Sequence, residues 1–355
     1  MESDTPSIKN GNLEIDIFKF LFSIVVVLCH CIYWGGYRFK AGALAVEFFF
    51  IVSGFLFTKK VLADEDDAAG WKYIVRSVKN LTPFLAAGMI ISLCWHFCFC
   101  NWTKQALFAN FILSVIGELL HFQMFGLPMF SSTGVVWYLS AMYIGMGILS
   151  LFLKKSKNSF PTLPLLLIVM FIYGWLCQKR GNVRGPGDWL GNCFVGTLRG
   201  IAGISLGALC YRFTLFLRNF GFNFKGRILL SIVEFCLYLH SAFYMWRKES
   251  FFYDFYILFY LFIAVAITFS ELSLFSFVNK WKAPFFRRAS ICILFSHFYV
   301  VQYFEKIFPQ FTGAKAKVIV TLQVVLLSVL NYFLAGLIKR VVAKFIKAIR
   351  TESAA

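Results

Sequence analysis

Long apolar stretches recur along the whole chain, and they decide what it can fold into. Runs long enough to cross a bilayer as helices fall at about 15–34, 42–61, 81–100, 134–153, 161–178, 192–212, 228–246, 252–270, 289–307 and 317–338. In hydrocarbon the backbone must satisfy its own hydrogen bonds, so such runs can only be helices. Composition agrees, with 59% hydrophobic and 15% charged residues, against about half and a quarter in soluble domains. The expectation is an all-α integral membrane protein, a bundle of about ten transmembrane helices. Aromatics at 19%, with 45 Phe, suit lipid-facing surfaces. No internal repeat or low-complexity tract interrupts the pattern, so 1–355 reads as a single membrane domain with short polar tails at Met1–Asn12 and Lys339–Ala355.

An eleventh stretch, about 106–125, contains Glu118 and His121. Charge decides whether it spans, because basic residues collect in cytoplasmic loops. With ten spans and a cytoplasmic N-terminus, 22 Lys and Arg lie inside and 11 outside. If 106–125 also spans, the balance becomes 14 inside and 19 outside. The first arrangement is expected: a multi-pass protein of the inner (plasma) membrane with both termini cytoplasmic, and 106–125 a re-entrant or interfacial segment on the outer side. This orientation also accounts for most of the net charge of +18, so no nucleic-acid partner is inferred and membrane lipid is the expected neighbour. No cleavable signal peptide is expected, since no small-residue cleavage site is evident and Lys19 sits within the first apolar run. The ten Cys show neither zinc-ligand spacing nor a disulfide framework, and no metal site is expected.

An ionisable residue inside a span is costly and raises a question of function. Lys19, His30, Glu47, Arg199, Glu234 and His297 are the candidates. Each has a plainer explanation: Lys19 can snorkel to headgroups, a lone His is often structural, and Arg199 and Glu234 can pair with each other or with other polar groups. Spacing argues for more in the first span, "DIFKFLFSIVVVLCH". Lys19 and His30 are eleven residues apart, which puts them within about 20° of one helix face and about 16.5 Å apart along the axis. In the second span, "AVEFFFIVSGFLFTKK", Glu47 and Gly54 share a face with Ser53 beside it. Ser-Gly allows a close approach of a helix or a ligand. The connection is short, so His30 and Glu47 fall at the same end, where a carboxylate would orient an imidazole and raise its basicity.

After the second span comes "WKYIVRSVKNLTP", with Arg76 and Lys79 one turn apart and Lys59, Lys60 and Lys72 nearby in sequence. Lipid contact and orientation explain such charges, and so does a cytoplasmic site for a polyanion such as a nucleotide cofactor. The residues alone suggest an acid–base membrane enzyme drawing a phosphorylated donor from the cytoplasm. The rival reading is a proton-coupled transporter or flippase of a lipid-linked or glycan substrate, and a third is a non-catalytic scaffold.

Together these blocks resemble the membrane acyltransferases of acyltransferase family 3. Asp16, Lys19 and His30 match the first-span pattern of an acidic residue, a basic residue, ten residues and His. "VEFFFIVSGF" matches the second-span pattern, and Arg76, Lys79 and Pro83 match a basic stretch followed by Pro. "VVWYLSAMY" resembles the start of the fourth span, and "SICILFSHFYV" the late helix ending in His. The resemblance implies transfer of an acyl group, commonly acetyl from acetyl-CoA, to a hydroxyl of a cell-surface polysaccharide, glycolipid or related acceptor. It implies that His30 is essential, and that Lys19 stands where Arg is commoner, a point charge in place of a planar fork. The site then reads as His30 and Glu47 for chemistry. Lys19, Ser53, Arg76, Lys79, Trp137 and His297 would contact donor or acceptor, with Trp137 stacking on a sugar or anchoring at the interface. Some relatives carry a further C-terminal esterase-like domain; here transfer is expected within the membrane domain or with a partner. A homo-oligomer is allowed by the sequence but not specified by it.

Overall fold

The structure of the chain, a computed structural model, describes residues 12–31, 39–99, 109, 115, 117–125, 131–155, 159–249, 251–311 and 313–352. Most of the 106–125 segment lies outside the described residues, as do Lys9, Arg38, Lys104 and Lys157 of the charge balance. Among the described residues eleven helices are followed along the chain: α1 Leu13–His30, α2 Ala45–Leu62, α3 Ala69–Phe99, α4 Val136–Lys155, α5 Thr162–Arg180, α6 Val195–Arg218, α7 Phe224–Arg247, α8 Asp254–Ser270, α9 Pro284–Ser296, α10 Phe298–Ile307 and α11 Gly313–Glu352. A 3-10 turn at Leu274–Lys280 follows α8, and a small antiparallel hairpin of β1 Trp189–Leu190 and β2 Cys193–Phe194 precedes α6. The fold is all-α with almost no sheet, as hydropathy requires.

Seven of these helices are long and apolar enough to cross a membrane, or eight if α8 and the turn after it, bent by 56°, form one span. Ten spans are therefore not established. Two of the expected spans are not among these helices, for readable reasons. Within its 18 residues α1 carries Glu14, Asp16 and Lys19. The 289–307 run is broken at His297 into α9 and α10, of 13 and 10 residues. In the other direction, the basic stretch and the third span merge into one 31-residue helix, α3, with Pro83 inside it.

Packing divides the chain into two compact units. The first comprises Met1–Cys29, Phe39–Tyr73 and Ala141–Arg287. Its core is α2 against α6, with α5 also on α6 and α8 on both α6 and α7. Glycine sets the closeness of α2 and α6. A Cβ on Gly54 would lie 2.2 Å from the Ile204 carbonyl oxygen, and one on Gly207 would lie 2.3 Å from that of Ile51. Large apolar side chains outside this core also face outward. Leu163 and Phe171 on α5 are 65% and 71% exposed, as a helix facing lipid tails should be. At the start of α1, Asn12 caps the helix by accepting from the Ile15 N–H at 2.9 Å.

The second unit comprises His30–Arg38, Ile74–Ser140 and Arg288–Ala355. Here α3 meets α9 at Gly88, where a Cβ would come 2.6 Å from the Phe295 carbonyl oxygen. On α11, Asn331 Nδ2 donates to the Phe84 carbonyl at 3.0 Å. That carbonyl lies four residues before Gly88 on the same helix. α11 runs 40 residues, about 60 Å at 1.5 Å per residue.

Candidate functional site

In the first unit Lys19 sits 3.8 Å from Asp16, its neighbour one turn back on α1. Glu47 is wholly buried near the start of α2. One carboxylate oxygen accepts from Arg199 Nε at 2.6 Å and the other from Tyr173 OH at 2.6 Å. Arg199, 1% exposed, also donates from Nη2 to the Ala43 carbonyl at 3.1 Å. Three helices, α2, α5 and α6, are thereby joined through one carboxylate. Arg199 thus pairs with Glu47, while Glu234 accepts from the Thr268 hydroxyl. Sequence does not single out Tyr173; nothing distinguishes it there from fourteen other tyrosines. Ser53 is half-buried on α2, beside the contact of Gly54 with α6. Lys72 is tied to Asp66, and that contact, with the Ala68 N–H, holds the Asp66 carboxyl below its usual range.

In the second unit the imidazoles of His30 and His297 come together, with ring centroids 5.6 Å apart. The Phe298 ring stands edge-on to His30 at 5.0 Å and 86°. His297 lies at the break between α9 and α10 and is 1% exposed. Its Nδ1 is 2.8 Å from the Ile293 carbonyl, which assigns the proton to Nδ1 and leaves Nε2 as a lone-pair acceptor. Nε2 is buried with no hydrogen-bond partner among the described residues. A buried polar atom left so is costly, and here it lies on a histidine beside a second histidine. The broken helix is what turns both His297 and Phe298 toward His30.

A second polar group lies in the same unit. Glu118, wholly buried, accepts from the hydroxyls of Ser131, Ser132 and Thr133 and from the Thr133 N–H. Burial pushes its carboxyl above the usual range while these donors pull it back. Ser92 donates to the Ser132 carbonyl at 2.5 Å, and the Ser92 carbonyl accepts from His96 Nδ1 at 2.7 Å. In the sequence Glu118 is only a flaw in an apolar run; the Ser-Ser-Thr run thirteen residues on is the available sign of its partners. Arg76 and Lys79 are exposed on α3, one turn apart. Trp137 is half-buried near the start of α4, 6.5 Å from the Tyr138 ring.

The family model described as an acyltransferase domain matches residues 12–340. The chain belongs to the acyltransferase 3 family. No curated protein and no solved structure matches it. Membership makes the chain a membrane acyltransferase, and the match takes in His30, His297, Glu47 and the whole Glu118 group.

Proposed function

We propose that the protein moves an acyl group, acetyl in the first instance, from acyl-CoA to a hydroxyl of a cell-surface polysaccharide, glycolipid or lipid-linked sugar. The observation that carries this reading is the juxtaposition of His30 with His297, whose Nε2 is buried and unpartnered among the described residues. His30 takes the proton of the acceptor hydroxyl as its oxygen attacks the thioester carbonyl. The C–S bond breaks, CoA leaves as the thiolate, and the proton returns to sulfur. His297 contributes a hydrogen-bond acceptor beside the ring that carries the proton. Exposed Arg76 and Lys79 suit the CoA phosphates. Lys19, on the face of α1 that His30 shares, suits the path of the acyl-pantetheine arm, with Ser53 and Trp137 as further donor and acceptor contacts. Both termini are cytoplasmic in this arrangement, in the inner membrane. The intramembrane charges that suggest a transporter are answered in part by Glu47 and Arg199, which neutralise each other. Purified protein incubated with labelled acetyl-CoA should show turnover that His30→Ala lowers by about 10²-fold or more. Turnover unchanged in a folded His30→Ala protein would sink the reading.

A further inference from the structure

The geometry points to Glu118 as a positioning residue for His30, acting through the 131–134 segment and Phe298. This rests on the reading in which His30 carries the chemistry. Both oxygens of Glu118 are used. Oε2 accepts from Ser132 Oγ at 2.5 Å, and Oε1 takes the Ser131 hydroxyl, the Thr133 N–H at 3.2 Å and the Thr133 hydroxyl at 3.3 Å. The Thr133 N–H is a fixed donor and the three hydroxyls can each donate, so the arrangement suits a carboxylate, which only accepts. The Ser131 hydroxyl in turn accepts from the Gly134 N–H at 2.8 Å, so the clamp holds the backbone up to Gly134. Gly134 has φ +70, and a Cβ there would lie 1.9 Å from Phe298 Cδ1. The Phe298 ring therefore rests directly on the bare backbone of Gly134. The same ring packs edge-on against His30. No other residue type fits at Gly134, where both the left-handed backbone and the ring exclude a side chain.

An imidazole that must meet a hydroxyl proton loses rate steeply when it is misplaced; displacements near 1 Å can cost on the order of 10²-fold. A side chain that sets its position should therefore act on kcat more than on donor binding. The test uses the full-length protein in nanodiscs with two readouts. One is labelled acetyl-CoA turnover; the other is the rate at which diethyl pyrocarbonate modifies His30, followed by mass spectrometry, which needs no activity. Glu118→Gln and Gly134→Ala should each lower kcat by about 10-fold or more and leave KM for acetyl-CoA within about 2-fold. Each should change the His30 modification rate by about 3-fold or more. Adding Phe298→Leu to Gly134→Ala removes the blocked ring and should recover part of both readouts. If Gly134→Ala does not fold, Glu118→Gln and Phe298→Leu carry the same comparison. A folded Glu118→Gln protein with unchanged kcat and unchanged His30 modification overturns the proposal, as does one whose melting temperature falls while turnover per folded molecule holds. Wild-type turnover that survives His30→Ala overturns the function reading instead, and the modification rates then still decide whether Glu118 positions His30.

Discussion

Glu47 shows why a polar residue inside a membrane protein is judged by its partners. Its spacing from Gly54 places it on a packed face, and its nearness in sequence to His30 suggests an imidazole partner. The oxygens are taken up by Arg199, 152 residues away, and by Tyr173. Helical spacing reports which face a side chain occupies; it carries nothing about which distant helix covers that face. The ion pair is 0% and 1% exposed, so removing Arg199 leaves a buried carboxylate with the Tyr173 hydroxyl but no opposite charge. Arg199→Met should cost about 3–5 kcal/mol of stability, the scale of a broken buried pair. Replacing both, as Glu47→Leu with Arg199→Met, should recover a large part of that loss, since an apolar pair has no charge left to desolvate. Unfolding of the three proteins in detergent under one denaturant series decides it. Equal stability of Arg199→Met and wild type would show that Glu47 draws its neutralisation elsewhere.

At the scale of elements, hydropathy locates the helices well because lipid leaves the backbone no alternative. What it does not locate is where a helix breaks. The 289–307 run is apolar throughout most of its length, yet the structure splits it at His297 and turns that residue inward. The cause lies in tertiary contacts, the His30 ring and the Gly134 backbone against Phe298, which no local pattern encodes. The Ser-Gly pair of α2 is more legible. Small residues suggest a close neighbour, and α6 supplies it with Gly203 and Gly207 facing α2. Gly54→Ala would press a methyl to 2.2 Å from the Ile204 carbonyl oxygen, which forces α2 and α6 apart along the largest helix contact of the unit. Overpacking of this kind costs about 1–3 kcal/mol. A fall of several degrees in the melting temperature is expected, together with loss of turnover if Ser53 moves with the helix. Wild-type stability would mean that the two helices separate freely.

For the whole molecule, charge counting favours one orientation in the membrane. In the proposed ten-span arrangement, with 22 basic residues inside and 11 outside, the connection between α5 and α6 would lie on the outer side, where the proposed sugar acceptor would arrive. That connection holds the small hairpin, and within it Cys193 is an exposed free thiol. It offers a native probe that needs no introduced residue. A membrane-impermeant maleimide applied to intact spheroplasts should label Cys193, read by mass spectrometry on the peptide that contains it, and Cys193→Ser should remove that signal. On α6, Cys210 is buried and serves as the internal control, reached only after denaturation. A second probe, Lys347→Cys near the end of α11, should react only once the membrane is opened. If Cys193 is labelled only after opening and the Lys347→Cys thiol before it, the bundle is inverted. The acceptor side would then carry the basic residues of α3, and a donor carrying phosphates could not reach Arg76 and Lys79 from the cytoplasm. The proposed reaction therefore requires that Arg76 and Lys79 face the cytoplasm, where the proposed CoA donor would be met.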